Sequence, residues 1–150
     1  MIEWLFGEPI DRSVIRNTEK AFGVTFPDDY VECVLKNNGG SPMPNVYDFE
    51  GRKGAVFGRL LNHDPNGPNN ILRMYDAIQD RLPEGIYPFA EDTFGNFICF
   101  DYRQDKENPS IVFWDHEKTS CKTAIFPVCR SFTELLNKLY EPEDDEDIDW

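Results

Sequence analysis

Apolar side chains recur at three- and four-residue steps in four stretches of this chain, and at two-residue steps or in short unbroken runs across most of the remainder. Over 11–22, Val14, Ile15, Thr18 and Phe22 fall near one side of a helix. Asp11 or Ser13 is placed to cap its start and Gly23 to end it. Val24 to Phe26 make a short extended link into Pro27. A second helix is predicted over about 28–37. Pro27 presets its entry, Asp28 and Asp29 suit the positive end of its dipole, and Gly39 suits a left-handed C-cap. Tyr30, Val34 and either Val31 or Leu35 make its apolar face. Pro42 and Pro44 exclude further helix.

Strand patterns follow at 46–49 and 55–61, separated by a turn over 50–54. The span 62–70, NHDPNGPNN, is a loop by composition. Ile71, Tyr75, Ile78 and Leu82 mark a third helix, ended before Pro83. Four strands are then predicted at 86–90, 96–102, 110–115 and 123–128, joined by connections too short for parallel crossovers. Ser131 with Glu134 forms a capping box ahead of a last helix carrying Phe132, Leu135, Leu136 and Leu139. Helices at both ends with a run of strands between them predict an α+β domain with a mainly antiparallel sheet flanked by helices, one sheet face being free to stay wet. Along 96–102 the set Ile98, Phe100 and Tyr102 is the stronger core face, opposite Phe97, Cys99 and Asp101.

The 150 residues include twelve Phe and are 14% aromatic, enough for one core that buries about two-thirds of the unfolded surface without staples. The predicted domain covers 1–140. Residues 141–150, EPEDDEDIDW, form an acidic tail whose only large apolar side chains are Ile148 and Trp150. The net charge is −13, and without the seven acids of that tail it is −6. An acidic body with no dense Lys/Arg cluster in its sequence argues against a generic nucleic-acid binder and against an anionic membrane surface, and favours a basic protein partner. The opening MIEWLFGEPI lacks the pattern of a secretory signal, and no stretch nears the roughly 20 apolar residues of a membrane span. A cytoplasmic location is the expectation.

Cys33, Cys99, Cys121 and Cys129 lie beside apolar neighbours with no CxxC spacing and are expected as buried free thiols. His63, in a polar loop, and His116, at a strand end, are expected to be solvated. Neither lies at a metal-ligand spacing. NNGG at 37–40 follows a helix rather than preceding one, so it reads as a helix stop and not as a phosphate loop. Phe26-Pro27 reads as a structural junction.

Five segments in order resemble the SMI1/KNR4 (SUKH) superfamily: GVTFPDDY at 23–30, NNGG at 37–40, PFAEDTFGNFICFDY at 88–102, VFWD at 112–115 and SFTELLNKLY at 131–140. The resemblance implies a mixed domain with a mainly antiparallel sheet, and a protein that works by binding another. In the bacterial branch it implies an immunity protein, or antitoxin, that neutralises a cognate polymorphic toxin domain such as a nuclease. In other branches it implies a regulatory or scaffolding protein-binding domain. It implies no catalytic residue, no cofactor and no metal.

The residues themselves supply candidate contacts. Asp28 and Asp29 are charges at a helix start. Glu91, Asp92 and Asp101 flank a predicted hairpin, where an acid/base or metal site would require them to converge. Asp92 is placed to accept N–H bonds across its own turn, leaving Phe94 at the tip as an exposed anchor. Trp114 and Asp115 complete the set, with Trp114 read first as core. The expected partner is a basic toxin protein bound without nucleic acid or membrane. Sheet edges and aromatics also leave room for pairing of two copies.

Overall fold

The computed structural model describes residues 2–118 and 124–141, so the acidic segment beyond Glu141, Cys121 and the first residue of the strand expected at 123–128 lie outside the described residues. The architecture is α+β. Helix α1 (Arg12–Phe22) and helix α2 (Asp28–Asn37) come first, helix α3 (Ile71–Ile78) runs into a 3-10 turn at Gln79–Arg81, and α4 (Phe132–Lys138) comes last. Strands β5 (Arg59–Leu60), β6 (Ile86–Glu91), β7 (Phe97–Asp101), β8 (Ser110–Trp114) and β9 (Ile125–Cys129) form an antiparallel sheet in that spatial order. Two small antiparallel pairs flank it: β1 (Glu3–Leu5) with β2 (Ser41–Met43), and β3 (Val46–Phe49) with β4 (Arg52–Val56).

The four helices stand where the periodicity predicts them, but their ends are built differently in detail. Asp11 occupies the N-cap of α1 without capping a backbone N–H, because its carboxylate accepts the Ser13 hydroxyl at 2.7 Å. Gly23 (φ +76) closes α1 by donating to the Glu19 carbonyl at 2.8 Å. Ser131 caps α4 through the Glu134 N–H at 3.1 Å, while Glu134 reaches back to the N–H of Arg130 and not of Ser131.

The apolar run at 55–61 is one stretch in the sequence and two elements in space. Its first part pairs with β3, whereas Arg59 and Leu60 pair with β6. The chain changes sheets at Gly58, where a Cβ would stand 2.7 Å from the Glu91 carbonyl oxygen. Only glycine permits so close a crossing. The pair β1–β2 carried no sequence signal, since three-residue strands show no alternation and β2 contains Pro42. It places Trp4 edge-on against Phe57 at 5.9 Å.

The central strand β7 is buried at all five positions, so both of its faces are covered although an antiparallel sheet is free to leave one wet. Phe100 meets Tyr30 of α2 at 5.1 Å and stacks on Phe89 at 4.2 Å, and Tyr30 also meets Phe132 of α4 at 5.4 Å. Farther along the same face Phe113 packs on Phe49 of β3 at 5.1 Å. On the opposite face Trp114 lies beside Phe97 at 5.9 Å under the guanidinium of Arg81, 4.9 Å from its ring. Cys33, Cys99 and Cys129 are free thiols, but only Cys99 is buried as expected, Cys33 on α2 and Cys129 on the edge strand β9 being half-buried. Burial holds them protonated, raising Cys33 to about 11 and Cys129 to about 12.

His63 departs furthest from expectation. It is only 3% exposed and not solvated. Its Nδ1 is 2.8 Å from Thr18 Oγ1 and its Nε2 is 2.8 Å from the Tyr30 hydroxyl. The loop that carries it is drawn inward by the amide of Asn38, remote in sequence, and is braced from within by Asn70. Asn38 accepts the His63 N–H at 3.0 Å and donates to Asn62 at 2.7 Å, and Asn70 donates to the carbonyls of Asn62 and Asp64 while capping α3. The second Asn of NNGG is therefore a buried connector between α2 and this loop.

Burial lowers the pKa of His63 from 6.5 to about 4, because a charged imidazole would be desolvated there. Between these values the unfolded chain binds a proton that the folded chain excludes. This exclusion costs nothing above pH 6.5 and lowers stability increasingly as pH falls toward 4, by about 3 kcal/mol in all at 1.36 kcal/mol per unit. Urea denaturation between pH 7 and pH 4 will show a steeper loss of stability in the native chain than in His63→Gln. Equal slopes would contradict the assignment.

Candidate partner-binding surface

The structure re-sorts the eight candidate contacts. Asp28 is exposed at the first turn of α2. Asp29 beside it is engaged between helices: one oxygen accepts the Tyr30 N–H at 2.8 Å, and the other accepts both the N–H and the hydroxyl of Thr133, at 2.9 and 2.8 Å. A single carboxylate thus satisfies a terminal donor of α4 from the first turn of α2, at the positive end of both dipoles.

The hairpin acids do not converge. Glu91 pairs with Phe97 and Asp101 with Ile86, which sets Glu91 and Asp92 at one end of the β6–β7 ladder and Asp101 at the other. Glu91 accepts from Arg59 at 3.0 Å and from the Asn69 amide at 2.6 Å. Asp101 forms a two-pronged ion pair with Arg103, at 3.0 and 2.9 Å, and also accepts its backbone N–H. Asp115 is 4% exposed, accepting from Arg52 at 3.3 Å and from the Glu117 N–H at 2.9 Å. Trp114 is 1% exposed and belongs to the core, as its first reading had it. Among the described residues no group of three or more His, Cys, Asp or Glu side chains is placed to hold a metal ion.

Asp92 organises the hairpin tip in the manner its sequence position implies. Its Oδ1 accepts the N–H groups of Phe94 and Asn96 at 2.7 and 2.9 Å, and its Oδ2 accepts the Asn96 side-chain amide at 2.8 Å. Asn96 in turn accepts the His116 N–H at 3.0 Å and lies 2.7 Å from its Nδ1, so half-buried His116 braces the turn from β8's end. Phe94 projects from this locked turn with 66% of its surface exposed. A large aromatic on a backbone already fixed loses little further entropy on binding.

Two features escaped the sequence. Phe6, after β1, is 87% exposed. Arg16, Lys20, Arg103 and Lys106 line a groove of about 790 Å³ together with Tyr87 and Tyr102. Overall acidity hid that cluster, and its members come from segments nearly ninety residues apart.

Residues 12–136 match the family described as SMI1-KNR4 cell-wall, so this chain belongs to the SMI1/KNR4 superfamily, a family of protein-binding domains. A relative in Bacillus subtilis (strain 168), the SPbeta prophage-derived uncharacterized protein YokK, is 27% identical over 145 residues, covering 85% of this chain and 73% of its own. No helix among the described residues is long and apolar enough to cross a membrane.

Replacing Asp92 by Ala strands three donors at the turn and will cost about 2–3 kcal/mol in urea denaturation, whereas Asp28→Ala will stay within about 0.5 kcal/mol. Similar costs for the two would show that the turn does not depend on Asp92.

Proposed function

We propose that the chain acts by holding a partner protein as a regulatory or scaffolding domain, with Phe94 as its central anchor. Exposed Phe94 on a turn fixed by Asp92 carries this reading. Family membership supports protein binding as the kind of activity. The internal duties of Asp29, Glu91, Asp92, Asp101 and Asp115 favour an interface centred on an aromatic and away from those acids, with Asp28 and the general acidity contributing to the rim.

A second reading is neutralisation of a cognate toxin domain in the cytoplasm. The −13 charge favours it, since a basic nuclease would be steered toward such a surface. In that case occlusion of the toxin's active surface is the mechanism, and the tail at 141–150 contributes to approach more than to hold.

Affinity capture with the full chain from its native cells, in parallel with Phe94→Ala, tests the first reading. One partner should be held by the native chain and lost or weakened at least about tenfold by Phe94→Ala, the size of a 1.4 kcal/mol contact, with unchanged thermal stability. Equal capture by both chains would refute the anchor. Protection of cells from the product of an adjacent gene would select the toxin reading, and the absence of any complex with that product would discard it.

A further inference from the structure

The groove between the second half of α1, the Gly23–Thr25 link and the ends of β6 and β7 concentrates positive charge on an otherwise acidic molecule. Its lining sets Arg16, Lys20, Arg103 and Lys106 against Glu19 and Glu84. Arg16 and Lys20 stand one helical turn apart on α1 and so present together. Among the described residues neither they nor Lys106 has an ion-pair partner. Glu19 is turned to the backbone, accepting the Phe26 N–H at 2.8 Å. Arg103 is held in place by Asp101, and Gly85 (φ +94) leaves room for its stem, since a Cβ there would lie 3.1 Å from Arg103 Cγ.

The wall between these charges is aromatic and rigid. Tyr87 stacks on Phe22 at 4.7 Å and meets Tyr75 at 5.4 Å and Tyr102 at 6.0 Å, yet stays only half-buried. The Tyr102 hydroxyl donates to the Thr25 carbonyl at 2.8 Å and so fixes the groove's inner edge.

We propose that this groove binds a carboxylate-rich peptide segment of a partner protein, its acids meeting Arg16, Lys20 and Lys106 and an apolar side chain resting on Tyr87. The proposal builds on the protein-binding reading and adds a second contact region of opposite charge to the rest of the surface. A free anion would meet mainly exposed cations, each worth about 1 kcal/mol or less, and would leave Tyr87 unused. A nucleic acid carries a charge about every 1.7 Å, and its flanking phosphates would face the acidic exterior. The chain's own acidic tail has suitable chemistry. However, Tyr140, from which it departs, pairs with Val46, beside Asn45 and its bond to Phe57. Phe57 adjoins Gly58, which bonds Glu91 at the end of β6 remote from the groove. A partner's segment is the occupant proposed, and the tail is the competitor that truncation at Glu141 removes.

The test uses the full chain and a fluorescein-labelled decapeptide of Glu and Asp with one central Phe, read by fluorescence anisotropy. The native chain should bind it. Lys20→Glu with Lys106→Glu should weaken binding at least about tenfold, as should the milder Arg16→Gln with Lys106→Gln, all with native circular dichroism. Tyr87→Ala should weaken the Phe peptide more than the same peptide with Ser in place of Phe.

Four results would overturn the assignment: unchanged affinity in both charge variants, equal binding of a Lys-rich peptide, stronger competition by inorganic phosphate or a ten-residue oligothymidylate than by unlabelled peptide, or tighter peptide binding by a chain ending at Glu141, which would make the tail the occupant. If the charge-reversed chain still holds its captured partner, protein binding stands and the groove assignment alone fails.

Discussion

Aromatic packing over β7 is the constraint on which the other features rest. Phe89 and Phe100 stack on each other, Tyr30 brings α2 down on them, and Phe132 adds α4, so four elements, β6, β7, α2 and α4, share one buried ring cluster. Each well-placed ring pair adds about 0.5–1.5 kcal/mol beyond its buried area. The cluster also fixes orientation. Tyr30 points its hydroxyl at His63, which ties the loop before α3 to α1 through Thr18. Asp29, the residue before Tyr30, then stands where it can hold the start of α4.

This packing explains how an acidic chain stays compact. Most of the carboxylates singled out by the motifs face a specific N–H or guanidinium: Asp29 at a helix start, Asp92 in its turn, Asp101 on Arg103, Asp115 on Arg52 and Glu91 on Arg59. Motif acids in this fold are thus chiefly geometric devices that set turns and helix ends. What the framework leaves outward is a different set: one aromatic at a locked turn, and a groove whose cations have few internal partners.

Much of the fold was legible because its signals are local. The helical faces of Ile15 and Thr18, of Tyr30 and Val34, and of Phe132 and Leu135 all turn inward as their spacing implies. The bonding of Asp92 across its turn and the exposure of Phe94 were likewise visible in EDTFGN. The failures share one cause, which is dependence on partners remote in sequence. His63 sits in a stretch polar enough to be a surface loop, and Thr18, Tyr30 and Asn38, all remote in sequence, hold it inside. The split at Gly58 depends on Glu91 pressing against it. The basic groove requires α1 to meet the ends of β6 and β7, which composition cannot show.

Hydrogen–deuterium exchange of the full chain, free and bound to its captured partner, separates an interface centred on Phe94 from one centred on the motif carboxylates. New protection is expected at the hairpin tip around 93–95, while amides held by Asp29 and Asp101 change little because those carboxylates are engaged in both states. Protection confined to segments around Asp29, Asp101 and Asp115, with the tip exchanging as in the free chain, would contradict the Phe94-centred interface.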